Sequence, residues 1–341
     1  MDITKFKVML VVNKEYYMEN IISTISEAVN TATSSGKVGY DVAFPNLGIF
    51  IKNLQNTIRI GNFTIAYYGI IISIAMLIAF TIVTYLAKKK NINEDIFYDV
   101  FIIIIVLGII GARAYYVIFK WDYYQIRPHE ILDIRAGGLA VFGGIILAII
   151  GITIYCIIKK INVIKVLDLT MIGVAIGQAI GRYGNFFNME AFGEYTNNIV
   201  AMRLREEYLD PANITFTQSL NLIEEEGIKY IQAHPTFLYE SCLNIVLFII
   251  LIFILNKKHK FDGQIFATYL VGYGIIRTFV ESFRTDSLML GTFKVSKLVA
   301  ILCIIIGIVI YILNYKKIKP FDKVYELPES MVKNGPEKET E

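Results

Sequence analysis

Windows of about 20 residues dominated by apolar side chains recur along this chain, each long enough to cross the roughly 30 Å hydrocarbon core of a bilayer as one helix. Lipid offers the backbone no hydrogen-bond partner, so such windows must pair their own N–H and C=O groups, which a helix does. The candidate spans are Phe63–Leu86, Tyr98–Phe119, Leu139–Ile158, Val166–Phe187, Phe237–Leu255, Gln264–Phe283 and Val295–Tyr315. Hydrophobic residues make up 55% of the 341-residue chain and its mean hydropathy is +0.54, above the range of ordinary soluble domains. The expected fold class is an all-α polytopic membrane protein with seven transmembrane helices. The three cysteines, Cys156, Cys242 and Cys303, sit inside apolar runs and form no disulfide or zinc pattern. A formal net charge of +3 gives no reason to expect a nucleic-acid partner.

The placement of lysine predicts orientation. Basic clusters follow the first, third, fifth and seventh windows: Lys88-Lys89-Lys90, Lys159-Lys160 with Lys165, Lys257-Lys258 with Lys260, and Lys316-Lys317 with Lys319. That alternation is the positive-inside pattern, with the N-terminus outside and the C-terminus cytoplasmic. The loop 120–135 runs against it with Lys120, Arg127 and Arg135, but Asp122, Glu130 and Asp133 accompany them. Residues 1–45 are expected as an external extension, poorly ordered or weakly helical, and carry no secretory signal core. Residues 46–319 are expected to form the membrane domain, with an external head insert at about 194–233. Residues 320–341 read as a charged, disordered cytoplasmic tail. No internal repeat points to an inverted-repeat transporter.

Six of the windows carry ionisable or glycine-rich elements, and all six place them toward the outer leaflet. Tyr68 opens the first, Arg113 lies in the outward half of the second, and Gly137-Gly138 and Gly143-Gly144 open the third. Arg182, Asn185, Asn188 and Glu190 close the fourth, and His234, Tyr239 and Glu240 open the fifth. Tyr273, Arg277, Glu281 and Arg284 occupy the outward half and end of the sixth. Arg277, Glu281 and Arg284 share a helix face at i, i+4 and i+7, which lets the glutamate hold both arginines. Guanidinium groups near lipid require anionic partners, and a surplus of them suits a phosphate-bearing ligand, whose oxygens they grip in pairs. No ligand set suggests a metal or a cofactor.

These stretches resemble the prolipoprotein diacylglyceryl transferase family. Gly181 to Gly193 has the form of its signature, G-R-x-G-N-F-x-N-x-E-x-x-G. Ala136 to Gly144 resembles its paired-glycine segment, and His234-Pro235-Thr236-Phe237-Leu238-Tyr239-Glu240 its HPxxLYE element. Tyr273 to Asp286 resembles its last polar helix and Tyr68-Gly69 the start of its first. The resemblance runs in order from about residue 45 to about 315. It implies seven spans with an external head in the bacterial plasma membrane. It also implies transfer of a diacylglyceryl group from phosphatidylglycerol to the lipobox cysteine thiol of a prolipoprotein signal peptide. By the same route Tyr68, Arg182, Asn185, Asn188, Glu190, Gly193, Arg277, Glu281 and Arg284 carry over as site residues, with Gly143, Gly144, His234 and Tyr273 as substrate contacts. The family often places His or Tyr where this chain has Phe142. Glu190, Glu281, Tyr68 and His234 stay open as proton acceptors. The competing readings are a transporter or binding protein for an anionic solute, and a scaffold whose arginines staple helices.

Overall fold

The computed structural model describes residues 39–314, apart from 62, 135, 136 and 288, together with residue 331. Residues 1–38 of the expected extension, Arg135 and Ala136, and the expected tail apart from Met331 lie outside the described residues. In chain order come strands β1 (Val42–Phe44), β2 (Ile49–Ile51), β3 (Thr57–Ile60) and β4 (Phe63–Ala66). Helices α1 (Tyr67–Lys89), α2 (Asp95–Phe119), α3 (Val141–Ile158) and α4 (Val163–Phe187) follow. Then come β5 (Met202–Arg205), β6 (Ile223–Glu225), β7 (Ile228–Ala233) and the helices α5 (Thr236–Phe253) and α6 (Gln264–Glu281). The chain closes with β8 (Met289–Leu290), β9 (Phe293–Lys294) and α7 (Val295–Asn314). Short helical turns at 121–124, 206–208 and 216–220 punctuate the loops.

The described residues divide into two compact units: those within 1–54 together with 195–234, and those within 55–194 together with 235–341. The first is built on a five-stranded antiparallel sheet in the order β2-β1-β5-β7-β6. This corrects the all-α expectation, since the head insert folds as sheet. Its strand signal is brief: Met202-Arg203-Leu204-Arg205 alternates buried apolar with half-buried charged residues, the period-two pattern of a strand with one covered face. Tyr40 stacks on Tyr230 at 4.3 Å and donates to Glu225 at 2.8 Å, and Arg203 donates to Glu225 and to Gln232 at 2.5 and 2.9 Å. Burial pushes the Tyr40 phenol up to about 12.

The second unit is the helical one, and the protein as a whole is mostly helical. Six helices are long and apolar enough to cross a membrane, with the fifth of them running from Thr236 through a π-helical turn to Lys258. The helix α6 has 18 residues but carries Gln264, Arg277 and Glu281, so the expectation of seven spans is met by length and composition at six. The helix α4 forms the centre, with 56% of its apolar window buried against 11–33% for the others. It packs on α1, α5 and α6, while α2 pairs with α3 and α6 with α7. Asn162 caps α4 by accepting from the Ile164 and Lys165 N–H groups. Asp168 of α4 in turn caps α6, accepting from the N–H groups of Gly263 and Phe266, both at 2.8 Å. Gly263 sits at φ +91, a conformation that suits glycine.

The glycine pair Gly143-Gly144 lies where α2 and α3 meet. A Cβ at Gly143 would stand 2.3 Å from the Gly111 carbonyl oxygen and 2.2 Å from the Tyr115 Cβ, and one at Gly144 2.7 Å from the Gly108 oxygen. These glycines let two helices touch backbone to backbone, the small-residue packing expected where lipid supplies no hydrophobic drive for association. Gly143→Val is expected to destabilise the bundle by about 1–3 kcal/mol, because the obstructing atoms are backbone and cannot rotate away. Gly69→Ala, where a Cβ meets nothing within 4 Å, should leave the unfolding midpoint in detergent unchanged.

Candidate active site

The site is assembled by three helices of the second unit around one carboxylate. Glu240, on the first turns of α5, is 2% exposed. Its Oε1 lies 2.7 Å from Arg182 Nη2 on α4, and its Oε2 lies 3.3 Å from Arg277 Nη1 on α6. Arg277 Nη2 pairs with Glu281 Oε2 at 2.8 Å, one turn along α6, and donates to the Ser296 hydroxyl of α7 at 3.2 Å. Glu281 is fully buried. On the other side Arg182 Nη1 donates to Asn185 Oδ1 at 3.2 Å, and Asn185 Nδ2 donates to Glu190 Oε1 at 2.8 Å. Asn188 Nδ2 reaches the same Glu190 oxygen at 3.5 Å. A continuous polar chain thus runs from exposed Glu190 through Asn185, Arg182, Glu240 and Arg277 to buried Glu281.

Local sequence explains this placement. Arg182 and Asn185 are three apart on α4 and share a face. The turn after α4 bends back, with the Glu190 N–H on the Asn185 carbonyl at 3.0 Å and Ala191 at φ +56. That turn is held by the Thr236 hydroxyl, which donates to the Ala191 carbonyl. Gly193 bridges to Arg284, and the Glu194 N–H donates to the Phe283 carbonyl at 2.8 Å, so the end of the signature lies along the end of α6. Gly184 gives room for Tyr68: a Cβ there would stand 2.6 Å from the Tyr68 ring. Tyr273 stacks on Tyr269, whose hydroxyl donates to Gln178 of α4.

Several expectations change. Glu281 holds Arg277 but not Arg284, whose Nε and Nη2 instead grip Asp286 at 3.0 and 2.9 Å. Arg113 stands apart from the cluster. It donates to the carbonyls of Glu130, Ile131, Gly137 and Gly138 at 2.6 to 3.0 Å, so its partners are backbone carbonyls. The expected surplus of positive charge is also absent, because Arg182, Arg277 and Arg284 are matched by Glu240, Glu281 and Asp286. His234 belongs to the first unit, its Nδ1 3.5 Å from the Asn198 amide nitrogen. Phe142 lies exposed on the first turn of α3. Sequence reasoning left Glu240 out of the site residues. Its signal was a lone carboxylate in an apolar helix, which must meet a cation. Lys294, which donates to the Glu281 and Arg284 carbonyls at 2.9 Å each, was missed too. Among the described residues no cluster of His, Cys, Asp and Glu is arranged to hold a metal ion.

The model of one family, prolipoprotein diacylglyceryl transferase, matches residues 55–313, beginning where the helical unit begins. The chain belongs to the prolipoprotein diacylglyceryl transferase family. A relative from Finegoldia magna, named phosphatidylglycerol–prolipoprotein diacylglyceryl transferase, is 44% identical over 253 residues, covering 74% of this chain and 92% of its own. Proteins of the same name from Lactobacillus acidophilus and Bacillus cereus are 36% and 37% identical over 268 residues each. They cover 77% and 79% of this chain and 90% and 94% of their own. Within this transferase family fold, α4, α5 and α6 bring the signature, HPxxLYE and last-helix stretches together at Glu240.

Removing the shared counter-charge has a predictable cost. Glu240→Gln leaves two guanidinium groups facing a neutral amide in a buried setting, and is expected to destabilise the protein by about 3–5 kcal/mol. Thermal unfolding in detergent micelles measures this; a midpoint equal to the parent's would mean that the two ion pairs contribute nothing.

Proposed function

We propose that this chain transfers the diacylglyceryl group of phosphatidylglycerol to the lipobox cysteine of a prolipoprotein signal peptide, forming a thioether and releasing glycerol phosphate. Family membership and the names of the relatives support the reaction. The observation that carries the assignment of its site is the pair of arginines, from separate helices, that meet on the Glu240 carboxylate. We place seven spans in the bacterial plasma membrane, with the N-terminus outside, the C-terminus cytoplasmic and the site toward the outer leaflet. The lysines that follow α1, α3, α5 and α7 support that orientation.

The chemistry sets the demands. The thiol loses its proton, the sulfur lone pair forms the new C–S bond, and the electrons of the C–O bond leave with the phosphate oxygen. The lipid phosphate carries one negative charge as a diester and gains a second as the leaving monoester. A thiol of pKa about 8.5 is only partly ionised near neutrality, so positive charge beside it raises the share of nucleophile. Arg182 and Arg277 supply both effects: they stabilise the thiolate and the charge that develops on the leaving phosphate. The Arg182 side chain is 24% exposed and that of Arg277 is 12%, so Arg182 takes the phosphate first and Arg277 supports it from deeper in the bundle. Glu240 and Glu281 fix both guanidinium planes. Arg284, with its fork on Asp286, positions the end of α6. Asn185 and Asn188 hydrogen-bond the glycerol head or the peptide backbone, Tyr68 positions the lipid phosphate, and Glu190, the exposed carboxylate of the hydrogen-bonded series that runs to Glu281, accepts the thiol proton. The signal peptide, the phospholipid and the surrounding bilayer are the partners of this scheme, and none of its steps calls on a cofactor. An anionic-solute transporter is not favoured, since the matched relatives carry transferase names.

Purified protein incubated with phosphatidylglycerol and a cysteine-containing lipobox peptide should give a peptide heavier by one diacylglyceryl group, with none on a Cys→Ser peptide. No mass gain on the cysteine peptide would overturn the reading. Arg182→Lys and Arg277→Lys should each slow transfer on the order of 100-fold while inserting at parental levels, because an ammonium cannot grip two phosphate oxygens in a plane.

A further inference from the structure

The hairpin β3–β4 has two unlike faces. Its register pairs Ile58 with Ile65 and Ile60 with Phe63 across the strands, and Thr57 with Ala66 and Arg59 with Thr64. Side chains alternate between faces along a strand and share a face with the residue directly opposite. Ile58, Ile60, Phe63 and Ile65 therefore form one wholly apolar face, while Thr57, Arg59, Thr64 and Ala66 form the other. Among the described residues the apolar face is left open: Ile58 is 36% exposed, Ile60 60%, Phe63 66% and Ile65 40%. A two-stranded hairpin is marginal in water by itself, and four large side chains on one open face would make it worse.

Continuity says what covers that face. The strand β4 ends at Ala66 and α1, one of the helices that can cross the membrane, begins at Tyr67 with no linker residue between them. The Tyr67 N–H donates to the Asn56 carbonyl at 2.9 Å, which closes the base of the hairpin onto the helix start. The hairpin is thereby held at the level where α1 enters the bilayer. We propose that β3–β4 is a membrane-interface anchor: its apolar face lies in the boundary between headgroups and acyl chains of the leaflet that α1 enters. Arg59, on the opposite face, points its guanidinium to the lipid phosphates and water. This is the arrangement of interfacial amphipathic elements, built here on period two instead of 3.6. It fixes the depth of the start of α1, and hence of Tyr68.

The chain's single tryptophan, Trp121, makes the test direct. In full-length protein carrying Trp121→Phe, Phe63→Trp or Ile60→Trp places the only indole on the apolar face, and Thr64→Trp places it on the polar one. In lipid nanodiscs the reporters at 63 and 60 should emit to the blue of the one at 64. They should lose intensity when the lipids carry bromine near the headgroup end of their acyl chains, and should resist aqueous iodide. The reporter at 64 should be quenched by iodide. Equal iodide quenching at all three positions would overturn the proposal. So would protection of 63 and 60 from both quenchers, which would mean that protein, such as a second copy of the chain, covers the face. The readout involves no group transfer, so its failure and that of the proposed reaction are distinguishable.

Discussion

The helical unit depends on one carboxylate that serves two guanidinium groups. Burying Glu240 alone, or Arg182 or Arg277 alone, in a low-dielectric bundle would cost several kcal/mol. Together the three offset one another, and Glu281 completes the balance from one turn below. The arrangement constrains direction as well as charge. Each Glu240 oxygen is taken by a different helix, so α4 and α6 are both tied to α5 at one point.

The membrane character of the chain is legible because lipid imposes a coarse and repeated demand. Twenty apolar residues in a row leave few alternatives, and the windows begin or end within a few residues of the helices except where a short strand intervenes. Phe63 illustrates the exception. It is apolar and adjoins a run of apolar residues, yet it belongs to β4 and not to α1. Hydropathy cannot divide the two, because a hairpin with an apolar face reads like the first turn of the span that follows it. The head sheet is harder still. Its strands run three to six residues, and its pairing of β1 with β5 joins segments about 160 residues apart.

The site was legible where spacing along one helix decides contact. Arg182 with Asn185, and Arg277 with Glu281, follow from i, i+3 and i+4 neighbours. Contacts between helices were not. Glu281 shares a helical face with Arg284, but the fork of Arg284 closes on Asp286, its nearest acid in sequence, after α6 has ended. Arg113 is a cation within an apolar window, and its class suggested a ligand. Only the placement of Glu130, Ile131, Gly137 and Gly138 around it reveals that backbone carbonyls are its partners.

The polar residues of α4 also explain how the cluster keeps its axial register. At one end Asp168 caps the start of α6 through Gly263 and Phe266, with His259 3.4 Å away. At the other, Arg182 meets Arg277 through Glu240. Arg182 lies fourteen residues after Asp168, and Arg277 fourteen after Gly263. At 1.5 Å per residue both intervals span about 21 Å, so the two helices are pinned at matching heights at both ends. A slide of α6 by one turn would move Arg277 about 5.4 Å along its axis, beyond the reach of Glu240, and would pull Gly263 off Asp168 at the same time. Sliding thus breaks both sets of polar contacts at once, and in an apolar medium neither has a solvent partner to fall back on. The buried aspartate far along α4 therefore helps to hold the arginines in place without lying near them.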